Sequence, residues 1–120
     1  MGTFRELIAY KKAFKLSMEI FEATKKFPKE ETYSLIDQIR RSSRSVFACI
    51  AEAYKKRRYP NHFVSKLTDA DMENGETQAW LDASLACKYI TDDQFHNLNK
   101  QSEEVSHLLL YMINNPDKFK

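Results

Sequence analysis

Leu35-Ile36-Asp37-Gln38-Ile39-Arg40-Arg41-Ser42-Ser43-Arg44-Ser45-Val46 runs on through Ile50 to Tyr54 without a glycine or a proline. Its apolar members Leu35, Ile36, Ile39, Val46, Ile50 and Tyr54 recur at helical spacing, with arginine and serine between them. That pattern is an α-helix with one face turned to a core. A strand would need alternation, which Arg40-Arg41-Ser42-Ser43-Arg44 does not offer.

The same period recurs on both sides of this segment, separated by three short breaks. Phe27-Pro28-Lys29-Glu30-Glu31 interrupts the pattern upstream. Arg58-Tyr59-Pro60-Asn61 interrupts it downstream, with Asn61 placed to cap the following helix. Thr91-Asp92-Asp93-Gln94 has the form of a capping box and opens a fourth helix, which Asn114-Asn115-Pro116 closes. The spacing predicts helices over about 4–26, 32–57, 62–89 and 92–113. Connections this short make neighbours antiparallel, so the expected fold is all-α, an antiparallel up-and-down four-helix bundle in a single domain.

Composition agrees. In 120 residues there are 2 Gly and 3 Pro, too few for the turns of an all-β fold. Charged residues make up 30% and hydrophobic ones 42%, the balance of an ordinary soluble chain. The first residues carry no apolar signal segment and no apolar run reaches membrane-span length, so a cytoplasmic location is expected, with no membrane partner. Cys49 and Cys87 lack metal-ligand spacing and read as buried thiols.

Two helices are apolar on more than one side. On the first, Leu7, Tyr10, Phe14, Met18 and Phe21 form the expected core seam, and Ala9, Ala13, Leu16, Ile20 and Ala23 form a second away from Phe14. On the third, Phe63, Leu67, Ala70, Leu81 and Leu85 face the core, and Met72, Ala79, Trp80, Ala83 and Cys87 lie largely opposite. The fourth has one seam, Leu98, Val105, Leu109 and Met112. A helix apolar on two sides is buried on two sides, which points to self-association through Ala9, Leu16, Ile20, Met72, Trp80 and Ala83. Isolated exposed apolar residues are the other reading. Glu76 falls within the second seam and needs a partner, which an arginine from another copy would supply; Glu52, beside Ser45 and Cys49, poses the same question.

The formal charge is only +2, but the second helix concentrates cations: Arg40, Arg41, Arg44, Lys55, Lys56, Arg57 and Arg58 against Asp37 and Glu52. Cations of one sign on an outward face can follow a phosphate backbone. The plain alternative is a solvated helix face whose last-turn cations complement the helix dipole. For catalysis the sequence offers little. Di-iron bundles need Glu-x-x-His on two helices, and Glu104-Val105-Ser106-His107 is a single match with His107 pointing outward. His62 and His96 add no second motif, and no glycine-rich phosphate loop is present. No enzyme activity, metal or cofactor is expected.

Phe27-Pro28 with Glu31, Tyr33 and Leu35, the block Gln38-Ile39-Arg40-Arg41-Ser42-Ser43-Arg44-Ser45-Val46, and Ile50-Ala51-Glu52 resemble the bacterial four helix bundle protein family. Its members are often encoded in intervening sequences of 23S rRNA genes. Phe4, Leu7, Phe63, Leu67, Ala70, Glu76-Thr77-Gln78 and Leu81 extend the resemblance over nearly the whole chain. Two places depart from the family pattern: Cys49-Ile50-Ala51-Glu52-Ala53 stands for Asn-Ile-Ala-Glu-Gly, and Met72-Glu73 for Gly-Ser. Residue roles therefore carry over only to Gln38, Arg41, Glu52 and Glu76; an intersubunit polar network is the reading of Glu52 and Glu76, with exposed carboxylates as the alternative. It implies a ring-like homopentamer, and a related accessory protein of diversity-generating retroelements binds nucleic acid and a reverse transcriptase. The functional expectation is a homo-oligomeric accessory protein that binds RNA or DNA through the second helix; the alternative is a scaffold for a polymerase-like or other protein partner.

Overall fold

The computed structural model describes residues 2–120. Four helices, α1 (Ile8–Thr24), α2 (Leu35–Lys55), α3 (Pro60–Ala86) and α4 (Asp92–Asn114), form a bundle 44 × 25 × 21 Å. Each helix packs on its two neighbours in a closed square: α1 on α2, α2 on α3, α3 on α4, and α4 back on α1. The register is antiparallel throughout. Tyr10 meets Phe47 while Thr24 meets Arg40, and Glu52 meets Lys66 while Ser42 meets Thr77. Glu19 meets Gln101 on the closing side.

Helix boundaries follow local chemistry. Thr91 caps α4 in a capping box, its hydroxyl accepting from the Gln94 N–H while the Gln94 side chain accepts from the Thr91 N–H. At α3 the expected Asn61 cap is not used. Tyr59 is the N-cap and Pro60 begins the helix, because proline has no N–H to satisfy and its φ is already helical. The first predicted helix divides into a 3-10 turn (Phe4–Glu6) and α1, with Leu7 extended between them. A further 3-10 turn (Lys29–Glu31) precedes α2.

The core is two apolar clusters with a polar belt between them. One cluster gathers Ala9, Ala13, Val46, Ile50, Phe63 and Leu109; the other gathers Leu16, Ile20, Ile39, Leu81, Ile90 and Leu98. Between them Ser17 meets Ser43 at 3.2 Å, Ser42 meets Thr77 at 2.8 Å, and Asn74 pairs twice with Ser102. All four helices contribute. Among the described residues no buried side-chain nitrogen or oxygen lacks a partner, so the belt avoids the desolvation cost of unpaired groups.

The core faces expected of the second, third and fourth helices are the buried ones, apart from half-buried Tyr54 and Leu85. On α1 the expectation is inverted. Ala9, Ala13, Leu16, Ser17, Ile20 and Thr24 are buried, while Phe14 is 41% exposed and Leu7, Tyr10, Met18 and Phe21 are half-buried. Side-chain size misled the reading. Alanines let α1 approach the core closely, and the aromatic rings are displaced to the flank that α1 shares with α2. Cys49 is buried, but Cys87 is exposed, because it caps α3 where the chain turns away.

Candidate functional site

The arginines of α2 divide between its two neighbours. Arg40 and Arg44 lean toward α1, and Arg41 leans toward α3. Arg40 donates from Nε to Thr24 Oγ1 at 2.8 Å and from a terminal nitrogen to the Phe21 carbonyl at 3.4 Å. Its guanidinium lies 4.6 Å from the centre of the Phe21 ring, and that of Arg44 lies 5.7 Å from the same centre. One half-buried phenylalanine thus carries three cations, since the Lys25 ammonium lies 4.8 Å from the same centre, an attraction between positive charge and the ring faces. Neither Arg40 nor Arg44 has a carboxylate partner among the described residues. With Thr32, Ile36, Asp37 and Arg41 they line a shallow hollow of about 480 Å³.

Arg41 is committed elsewhere. It donates to Glu76 and, at 3.4 Å, to Glu73, both on α3. The Trp80 indole N–H donates to the same Glu76 carboxylate at 3.1 Å. That N–H, joined by Arg41, holds the Glu76 carboxyl below its ordinary range against the opposing effect of burial, and the Glu76 bond raises Arg41 in turn. The partner expected from another copy is therefore an arginine of the same chain. Arg41 remains on the basic helix but has two anions of its own.

The far end of α2 carries the remaining cations. Arg57 stacks 4.1 Å from the Tyr54 ring centre and donates to the Tyr54 carbonyl at 3.0 Å. Lys55 and Lys56 are exposed beside a second hollow of about 380 Å³, lined also by Glu52, His62, Ser65 and Lys66. Glu52 is paired within the chain to Lys66 at 3.3 Å, which also keeps Lys66 charged to higher pH. Arg58 is exposed.

The nine residues expected at a subunit interface sort differently. Ala9, Leu16 and Ile20 lie in the chain's own core, as the inversion of α1 requires, and are not available to a second copy. Gln38, Glu76, Trp80 and Ala83 are half-buried, with Trp80 and Ala83 packed against the cluster around Leu81. Met72 is 63% exposed and Glu52 is exposed. The outer face of α3 nonetheless presents Thr68, Met72, Gly75, Ala79 and Ala86 to solvent, with exposed Asp82 among them and half-buried Asp69, Asp71, Glu73 and Glu76 beside them.

Among the described residues no three His, Cys, Asp or Glu side chains lie close enough together to hold a metal ion. Glu104 pairs loosely with Lys12 at 4.0 Å, and His107 is exposed. No helix is long and apolar enough to cross a membrane.

Sequence reasoning missed the aromatic half of this surface. Phe14 sits 5.1 Å from Phe47 and 6.0 Å from Tyr10, ring centre to ring centre, continuing the row that begins at Phe21. Phe14 and Phe21 are two helical turns apart, and Arg44 and Phe47 one turn, so both sets lie along the flank where α1 meets α2, while Phe14 also borders a hollow between α1 and α4 with Glu19 and Glu22. Tyr10, Phe14 and Phe21 read as core in the sequence and Phe47 stands outside every seam, which hid this flank. A second missed contact joins opposite loops: the Tyr89 hydroxyl donates to Glu31 at 2.9 Å, which pushes Tyr89 up to about 12.

Fold and surface define an antiparallel four-helix bundle with a satisfied core and a basic, aromatic flank between α1 and α2. The chain belongs to the 23S rRNA-intervening sequence protein family, whose model matches residues 5–111. It is similar to a crystal structure of a protein of unknown function from the S23 ribosomal protein family of Bacteroides thetaiotaomicron VPI-5482, at 30% identity and TM-score 0.81. That match covers 89% of this chain and 96% of the other. No curated protein is detectably similar to the chain.

Proposed function

We propose that this chain is a non-enzymatic, homo-oligomeric accessory protein, a pentamer as the family resemblance implies, that binds RNA or DNA through α2. One observation carries the reading. Arg40 and Arg44 lie side by side at Phe21 without a carboxylate partner, Arg40 anchored to Thr24 and Arg44 exposed, so their charge is unbalanced and positioned in advance. Cations immobilised in this way lose little side-chain freedom on meeting a phosphate. Lys55, Lys56 and Arg58 extend the surface toward the far end of α2, whereas Arg41, balanced by Glu73 and Glu76, contributes less. Copies meet through the outer face of α3, around Met72 and Ala79, which leaves the α1–α2 flank open and repeats it around the ring.

The test is affinity for RNA and DNA across a salt series, with mass in solution measured alongside. Affinity should fall steeply with salt, because each phosphate contact releases counterions. Arg44→Glu should weaken binding to every sequence and lower the salt slope by about one or more. Absence of binding at low salt overturns the reading and leaves a protein partner as the better account of the same surface.

A further inference from the structure

We infer that the α1–α2 groove is a stacking site for unpaired bases, so that the nucleic acid bound is single-stranded; this rests on the phosphate-binding reading above. Cations and rings adjoin along this flank: Lys25, Arg40 and Arg44 gather at Phe21, and Phe47, Phe14 and Tyr10 follow as a cluster of rings. Phe14 is 41% exposed, far more than a ring needed only for the core. It lies on the crest of α1, one face covered by Tyr10 in a stacked arrangement with an interplanar angle of 23°.

Duplex nucleic acid presents phosphates on its outside and keeps its bases stacked on each other, so it would use the arginines and leave the rings idle. A single strand uses both, phosphates on the guanidinium groups and bases on exposed ring faces. Tyr10 and Phe21 are eleven residues apart, which spans about 16 Å along the helix and suits a short stretch of strand. The surrounding charge suits a polyanion, with one qualification: Asp37 shares the hollow with the arginines and weakens the field at that end.

The experiment uses the full chain and three probes of equal length at low salt: a thymidine strand, an abasic strand with the same number of phosphates, and a duplex. The thymidine strand should bind at least about tenfold more tightly than the abasic strand, since each stacked base contributes on that scale. Phe14→Ala should remove most of that difference and leave abasic binding unchanged, with helicity checked by circular dichroism. Equal binding of thymidine and abasic strands, both weakening with salt, overturns stacking and leaves the phosphate-binding reading standing. No binding of any probe overturns both. A Phe14→Ala protein that keeps its base preference but loses mass in solution would make this flank an interface between copies, and the inference falls. The comparison of probes on the unaltered chain needs no variant, so a folding defect in Phe14→Ala cannot obscure the result.

Discussion

Arg41 on α2 and Glu76 on α3 are bound to each other within one chain, and the Trp80 indole donates to the same carboxylate. The pair is partly solvated, Arg41 being 46% and Glu76 34% exposed, so screening limits its worth to about 1 kcal/mol. A double-mutant cycle with Arg41→Ala and Glu76→Gln, followed by urea unfolding, should return a coupling of that size, independent of protein concentration. A coupling that grows with concentration would place the partner on another copy. The pH dependence has a definite sign. Glu76 is depressed on folding, so its contribution is present above the ordinary carboxylate value of 4.5 and fades as pH falls through the lower folded value.

The polar belt supplies a stronger effect. Asn74 is 1% exposed, donates to the Ser102 carbonyl at 2.9 Å and accepts from the Ser102 hydroxyl at 2.8 Å. Asn74→Ala would remove both bonds, take away the acceptor of the buried Ser102 hydroxyl and leave a cavity between the two apolar clusters. The expected loss is about 2–4 kcal/mol with an unchanged denaturant slope. Thr77→Val, which deletes one hydroxyl bonded to Ser42, should cost about 1 kcal/mol. Equal costs for the two substitutions would mean that Asn74 is not paired as described.

Tyr89 gives a spectroscopic readout. Of the six tyrosines it is the one bound to a carboxylate, and Glu31 pushes it up to about 12. A phenol raised on folding contributes stability below its ordinary value of 10.0 and loses it as pH rises toward about 12. Ultraviolet titration should show a late phenolate for Tyr89, and Glu31→Gln should bring it back toward 10.0. Glu31 is lowered by Ser34 first and by Tyr89 second, so Tyr89→Phe should return its carboxyl only part of the way.

The helical period of Ile39, Val46 and Ile50, the capping box at Thr91 and the breaks at Pro28 and Pro60 made the bundle legible, because each is a local signal. The inside of α1 was not legible. Its buried row includes Ser17 and Thr24, whose hydroxyls find partners only when α2 or their own helix turn is in place. A row that mixes alanine, serine and threonine reads as surface, and a row of rings reads as core, until packing distances decide. The site divides in the same way. A cluster of basic residues on α2 is visible in the sequence, but the division of Arg40 and Arg44 from Arg41 is not, since it depends on the residues facing each flank. Phe21 on α1 and Glu76 on α3 make that division, each more than fifteen residues away in sequence.

Two positions carry the reverse of what their backbone favours. Gly75 lies in mid-helix on the exposed face of α3, and a Cβ added there would meet nothing within 4 Å. In a single copy Gly75→Ala should therefore raise stability by about 0.5–1 kcal/mol, since the glycine only adds freedom to the unfolded chain, whereas a second copy seated closely on this face would reverse the sign. Lys88 closes α3 with a φ of 63°, where the Tyr89 N–H returns to the Ser84 carbonyl at 2.9 Å. That left-handed position favours glycine, and Lys88→Gly should add about 1 kcal/mol. The sites are a dozen residues apart along the helix, so the two gains should add in the double variant, measured by urea unfolding. The exposed face gives Gly75 a second use as a probe. If Gly75→Ala destabilises the protein, and does so more strongly as concentration rises, the face of α3 around Gly75 is covered closely by another copy in solution.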